Sequence, residues 1–282
     1  MACIILRRFL FVSNPIGING AKCMENIILQ QENEIAILTI NRPGFKNALD
    51  GRTYDEFALA VDKVKNNTGT RVLVITGVEN SFCSGIDLSY ARALTKLSQI
   101  EFMAMMKKVQ ATFMFENLSI PVIAAVNGYA LGNGCDIALA ADFIYAAESA
   151  VFSMAYTNVG MIPDLGGTFR LTRLVGPSIA KELILTGDRF TASRALEIGM
   201  ISRVLPDADL MGAVTAFSEK LAKRAPIAMS MAKRSINNSL AADLATTLDF
   251  EAYNQSLCIK SADSSEAVAA MMEKRKPLFS GR

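Results

Sequence analysis

Short β-branched runs alternate with stretches at helical spacing from Met24 onward, and this alternation confines the chain to an α/β architecture. Residues 27–30 and 35–40 are aliphatic runs separated by the polar Gln31-Glu32-Asn33-Glu34, which predicts two strands and a turn. Tyr54, Phe57, Val61 and Val64 recur at helical spacing and predict a helix over 52–66. Residues 71–76 (R-V-L-V-I-T) predict a buried strand ended by Gly77. A helix over 99–116 follows, then a buried strand over 121–126, a glycine-rich turn over 128–134, a helix over 135–141 and a strand over 143–146. Beyond Val151 the pattern turns helical, with helices over 166–174, 178–186 and 192–197, the last closed by Gly199, and several more from Leu210. The expectation is an α/β core over 24–205 and a helical C-terminal region over 206–282, without an internal repeat or a low-complexity linker.

Composition narrows the chemistry. With 282 residues, 51% hydrophobic and 20% charged, the chain can fill a large core. Its 29 basic and 27 acidic residues leave a net charge of +2, which argues against a nucleic-acid partner. There are no histidines, so a His general base, a Ser-His-Asp or Cys-His triad and any imidazole metal site are excluded. Acid–base work falls to carboxylates, Tyr, Lys or Cys. The 5 cysteines include no C-x-x-C pair and form no disulfide framework, which fits a reducing cytoplasm. No stretch reaches the roughly 18 apolar residues of a membrane span. The first 23 residues carry Arg7, Arg8 and Lys22 and no acidic residue. Their apolar run, residues 9–12, is short for a signal-peptide core, so they read as a disordered extension or a start-site artefact ahead of a functional start at Met24.

Two turns stand out. One is S-F-C-S-G-I-D-L over 81–88, directly after a strand; the other is N-G-Y-A-L-G-N-G-C-D over 127–136, between a strand and a helix N-terminus. Glycine permits close approach of a ligand to backbone, and a helix N-terminus offers unpaired N–H groups to negative charge. Spacing alone fits either ordinary strand-end turns or a pair of N–H groups aimed at one oxyanion. Neither turn matches a phosphate loop or a dinucleotide fingerprint.

Those turns, with I-L-T-I-N-R-P-G-F-K-N-A-L over 37–49, I-P-D-L-G-G-T-F-R-L over 162–171, L-T-G-D over 185–188 and E-K-R-K-P-L-F over 273–279, resemble the enoyl-CoA hydratase/isomerase (crotonase) superfamily from Glu25 to Arg282. The resemblance implies a spiral of β-β-α turns, a helical C-terminal trimerisation region and a coenzyme A thioester as substrate, with no separate cofactor or metal. It also implies a homotrimer or a dimer of trimers. Val268, Met271 and Met272, with Ala267 and Ala270 beside them, make an apolar stripe on the terminal helix in keeping with that assembly.

Carried over by position, the resemblance implies that the backbone N–H groups of Ile86 and Asn133 form an oxyanion hole. Asn133 departs from the usual glycine, and the donor is main-chain. Lys46, Ala48 and Leu49, with Ser84, Gly85 and Asp87, resemble the segment that holds CoA, and Lys274 and Lys276 resemble basic residues near its phosphates, or are solvated tail charges. Hydratases of the family use two glutamates; here those positions hold Asp136 and Tyr156. Asp164 stands where several isomerases place their acid–base carboxylate, so the chain looks closest to dienoyl-CoA and Δ3,Δ2-enoyl-CoA isomerases.

On the residues alone, Asp164 also fits a helix N-cap and Asp136 a first-turn dipole partner. Tyr156 is a pocket wall or a hydroxyl donor, and Phe82 and Met161 are further pocket candidates. A carboxylate near apolar Phe152, Met154 and Met161 is expected to have its pKa raised toward the working pH. The expected reaction is a double-bond shift with Asp164 moving the proton and Asp136 assisting. The alternatives are hydration of a 2-enoyl-CoA and acyl-CoA binding with weak or no catalysis.

Overall fold

The computed structural model describes residues 24–282. The expectations for residues 1–23 lie outside them. The chain runs β1 (Ile27–Glu32), β2 (Ile35–Ile40), α1 (Gly51–Asn66), β3 (Val72–Gly77), β4 (Ser81–Cys83), α2 (Leu88–Leu94) and α3 (Gln99–Thr112). It continues with β5 (Val122–Val126), β6 (Tyr129–Leu131), α4 (Asn133–Ala140), β7 (Phe143–Ala147) and β8 (Val151–Ser153). Next come α5 (Gly167–Thr186), β9 (Phe190–Thr191), α6 (Ala192–Glu197) and β10 (Arg203–Leu205). Four helices close the chain: α7 (Leu210–Ala222), α8 (Pro226–Ser239), α9 (Leu244–Ile259) and α10 (Ala262–Met272).

Two sheets form. The first has order β1-β2-β3-β5-β7-β10, and its strands pair in parallel except for the β1–β2 hairpin. The aliphatic runs of β3 and β5 are buried along their whole length, as strands covered on both faces should be. The second sheet, β4-β6-β8-β9, is made of two- and three-residue strands. The chain passes repeatedly from a long strand of the first sheet to a short strand of the second, as in β3 to β4, β5 to β6 and β7 to β8. Helices follow the first two of these pairs directly. The spiral of β-β-α turns is therefore a repeat of backbone path, with no counterpart in residue identity.

Local sequence accounts for the helix ends. Asp50 caps α1 through Thr53 N, and Ser98 and Glu101 form a reciprocal capping box on α3. α3 ends at Thr112, and a single 3-10 turn, Pro-free, covers Phe115–Asn117, so the expected helix over 99–116 is shorter by one turn. The helices expected over 166–174 and 178–186 form one kinked element, α5. Gly176 breaks it with φ 77°, and Pro177 withholds a backbone donor there. The glycine-rich turn over 128–134 contains β6, and α2 was not anticipated. Among the described residues no helix is long and apolar enough to cross a membrane.

Candidate active site

The two chemically suggestive turns meet. Gly85 has φ 100°, and a Cβ placed on it would lie 2.8 Å from the Leu131 carbonyl oxygen and 3.7 Å from the Asn133 nitrogen. The approach is closer still at Gly134, where a Cβ would stand 2.0 Å from the Cys83 carbonyl oxygen. Any side chain there would hold α4 away from β4.

Main-chain geometry leaves two donors at this junction. Leu49 N–H donates to Gly85 O at 2.8 Å and Asp87 N–H donates to Leu49 O at 2.9 Å, an isolated parallel bridge between Leu49 and Ile86. In such a bridge the N–H of Ile86 faces away from Leu49. Asn133 is the first residue of α4, after an N-cap at Gly132 with φ 51°, so its N–H has no intrahelical acceptor. Asn133 therefore sits in helical backbone, and the unusual angle falls on the glycine before it.

The segment resembling a CoA holder is zipped onto the same turn. Ser84 N–H donates to Lys46 O at 3.1 Å, and the Ser81 hydroxyl donates to Lys46 O at 2.8 Å. Lys46 and Asn47 both take positive φ, and the Lys46 ammonium lies 5.0 Å from the centroid of the Tyr129 ring. Arg42 donates to Ala48 O and pairs with Asp50 at 2.9 Å and Asp87 at 3.2 Å. The Asp87 carboxylate also caps α2 through Ser89 N and Tyr90 N, so its side chain is engaged within the protein. Lys274 and Lys276 are exposed after α10.

The two aspartates occupy different environments. Asp164 is half-buried, and its Oδ1 accepts from the Asn133 side-chain amide at 2.8 Å. Burial pushes its pKa up, in the expected direction, and the Asn133 amide opposes that shift. It is not a helix cap: α5 starts at Gly167 behind Gly166, with no side-chain cap bond. Its main-chain oxygen accepts from Gln110 of α3, and Arg170 ties the next residue, through Leu165 O, to Glu116 and Phe113 O.

Asp136 is fully buried in the first turn of α4. Its Oδ2 accepts from the Tyr156 hydroxyl at 2.7 Å and from Leu165 N–H at 3.1 Å. Its Oδ1 is buried with no hydrogen-bond partner among the described residues, and a Cβ on Gly167 would lie 1.9 Å from it. Burial pushes the Asp136 pKa up to about 6, opposed by the Tyr156 and Leu165 hydrogen bonds. Tyr156 is thus a hydroxyl donor to Asp136, and the negative charge beside it, added to burial, pushes its own pKa up.

A cavity of about 400 Å³ opens beside Asp164, and Ile86 and Met161 are in its lining. Asp136, Tyr156 and Phe82 do not line it; Phe82, Phe152 and Met154 are fully buried core residues. Three contacts were missed in the sequence. The Asn133 amide could have been noticed, because an amide stands where glycine is usual. Arg170 and Gln110 gave no signal, being 54 residues in sequence from the groups they bind.

Two N–H donors beside a partly buried carboxylate and an apolar cavity define a site suited to stabilising an enolate oxygen while a proton moves. The chain belongs to the enoyl-CoA hydratase/isomerase family, whose sequence profile matches residues 30–282. It is 36% identical over 254 residues to the short-chain-enoyl-CoA hydratase of Clostridium acetobutylicum, covering 90% of this chain and 97% of that protein. It is 37% identical over 256 residues to the crotonyl-CoA hydratase of Syntrophomonas wolfei, covering 90% and 98%. The crystal structure of an enoyl-CoA hydratase from Bacillus anthracis superposes with a TM-score of 0.86 at 35% identity, covering 91% of this chain and all of that one. These relatives are named hydratases, which corrects the expectation that the chain stands nearest to isomerases.

The raised pKa of Asp136 has a consequence for stability. Its carboxyl holds a proton more tightly in the fold, at about 6, than its ordinary 3.8, so this group stabilises the fold fully below about pH 4. That contribution is lost as pH rises through about 6, a swing on the order of 3 kcal/mol. Asp136→Asn keeps an oxygen for Tyr156 and Leu165 and has no proton to lose. Thermal unfolding from pH 4 to 8 should show a smaller alkaline-going loss of stability in the variant than in wild type; parallel curves would contradict the assignment.

Proposed function

We propose that the chain acts on an unsaturated acyl-CoA thioester and shifts its double bond. The position of Asp164 carries the reading: it is the only charged residue lining the cavity among the described residues, it shares that lining with Ile86, and it is held by Asn133. The thioester oxygen accepts from the N–H groups of Ile86 and Asn133. The Asp164 carboxylate takes a proton from the activated carbon, and the C–H electron pair moves into the conjugated system as a dienolate. The proton returns from Asp164 to a different carbon, and the enolate electrons close the shifted double bond. Atoms are conserved, and no water enters. Each oxyanion donor contributes about 3 kcal/mol by analogy with other oxyanion holes. Asp136 acts at one remove, by gripping Leu165 N–H next to Asp164.

Hydration of a 2,3 double bond is the second reading, and the names of the similar relatives favour it over the first. It requires a carboxylate to activate water. Asp136 would have to do so from a buried position with Tyr156 as its partner.

Mass spectrometry of products from 2-enoyl-, 3-enoyl- and dienoyl-CoA esters separates the readings, since hydration adds one water and isomerisation leaves the mass unchanged. Asp164→Asn should lower isomerisation about 100-fold or more with ligand affinity little changed, and Asp136→Asn should cost less. A hydratase built on Asp136 would show the reverse order, and binding without turnover would leave a CoA-ester-binding protein.

Asn133→Gly keeps the main-chain donor and removes the amide that favours the ionised form of Asp164. Because the amide opposes the upward shift, the acidic limb of the pH–rate profile should move to higher pH in the variant. An unmoved limb would mean that Asp164 is not the titrating base.

We further propose assembly as a trimer or dimer of trimers. Met271 and Met272 are about 80% exposed on α10, 81% and 80% respectively, and Leu244 of α9 is 74% exposed. A monomeric mass in light scattering at micromolar concentration would overturn this.

A further inference from the structure

The cavity beside Asp164 speaks to the kind of acyl group the site takes, an inference that rests on the reading of Ile86 and Asn133 as the thioester's binding point. Its volume is about 400 Å³. An apolar cavity of about 150 Å³ already accepts a benzene ring. The space here is more than twice that, whereas a four-carbon acyl group places only one carbon beyond its 2,3 double bond.

The walls are mostly apolar and adaptable, with Thr95 and Gln99 as uncharged polar groups among them. Leu94 from α2, Phe102, Met105 and Met106 from α3, and Met161 from the loop before α5 line the space. Methionine is unbranched and fits itself to flexible neighbours. α3 has no fully buried residue, although it carries these apolar side chains. Its inner face is covered only in part by the protein, and an apolar ligand tail would complete the cover.

The charge pattern is equally selective. Among the described residues no lysine or arginine lines the cavity, and Asp164 is its only charged group. A terminal carboxylate on the acyl chain would find uncharged Thr95 and Gln99 but no cation, in a space that already holds a group of its own sign. We propose that the site takes an uncharged medium-chain acyl tail, of about six to ten carbons, and rejects both a dicarboxylic acyl group and a preference for four carbons.

Calorimetric titration of the full chain with saturated esters, which cannot be turned over, tests this. The probes are free CoA and butanoyl-, octanoyl-, hexadecanoyl- and adipoyl-CoA. Each buried methylene is worth about fourfold in affinity, so octanoyl-CoA should bind at least about tenfold tighter than butanoyl-CoA after ordering losses. Hexadecanoyl-CoA should gain nothing over octanoyl-CoA, and adipoyl-CoA should bind no tighter than butanoyl-CoA. Ala91, a buried α2 residue, also lines the cavity, and Ala91→Leu, which fills part of it, should cost octanoyl-CoA more than butanoyl-CoA. The wild-type series decides the matter even where that variant fails to fold. Equal affinities for all esters, or adipoyl-CoA tighter than octanoyl-CoA, would overturn this inference and leave the acyl-CoA reading standing. Binding of neither free CoA nor any ester would overturn both.

Discussion

Everything at the site depends on how closely the N-terminus of α4 can approach the end of β4. A Cβ on Gly134 would stand 2.0 Å from the Cys83 carbonyl oxygen, so the two layers touch main chain to main chain. That contact brings a helix-initial N–H at Asn133 beside the turn carrying Ile86. It needs no polar side chain, and it leaves both donors fixed by the fold before any ligand arrives, the condition under which oxyanion stabilisation costs no reorganisation. The outer side of the Ile86 turn is braced separately. Arg42 joins Asp50, Asp87 and the Ala48 carbonyl, so the start of α1, the segment just before it and the start of α2 form one unit.

The two aspartates are held in different ways. Asp136 satisfies one oxygen with Tyr156 and Leu165 and leaves the other buried and unpaired. Such a carboxylate is costly to ionise, and it does not line the cavity. It also holds the main chain of Leu165, the neighbour of Asp164. Asp164 itself is gripped from four directions: by the Asn133 amide, by Gln110 on its carbonyl, and through Leu165 by Asp136 and Arg170. A half-buried carboxylate held this firmly has the positional restraint that proton transfer demands.

The long strands were legible in the sequence because burial on both faces writes a continuous aliphatic run, as in 71–76 and 121–126. The short strands were not. β4, β6 and β9 have two or three residues, below the length at which alternation can be read, and they exist because the chain passes between layers there. α2 is hidden because its seven residues bury only Ala91, too little for a helical period to show; its cap, Asp87, serves the helix and Arg42. At the site, composition supplied the exclusion of imidazole chemistry, and motif resemblance supplied Ile86, Asn133, Asp136 and Asp164. What neither could supply was connectivity. Whether Tyr156 faced the pocket or a carboxylate depended on a contact across 20 residues, and the hold of Asn133 on Asp164 on one across 31.

That connectivity bears on the choice between the two proposed reactions. In a double-bond shift one base removes a proton and the same group, now an acid, returns it, so a single well-placed carboxylate suffices. Addition of water needs a second group to orient the nucleophile. The position from which Tyr156 would do so is compromised, since its hydroxyl donates to Asp136 and its ring is buried. For hydration, water would have to reach Asp136, whose Oδ2 is taken by Tyr156 and Leu165 and whose Oδ1 is buried without a partner among the described residues. The similar relatives carry hydratase names, yet the side chains that set the reaction are the part of a family fold that changes most easily without disturbing it. On the proposed reading, Asp164, the carboxylate that lines the cavity among the described residues, carries the proton, and Asp136 acts only through Leu165.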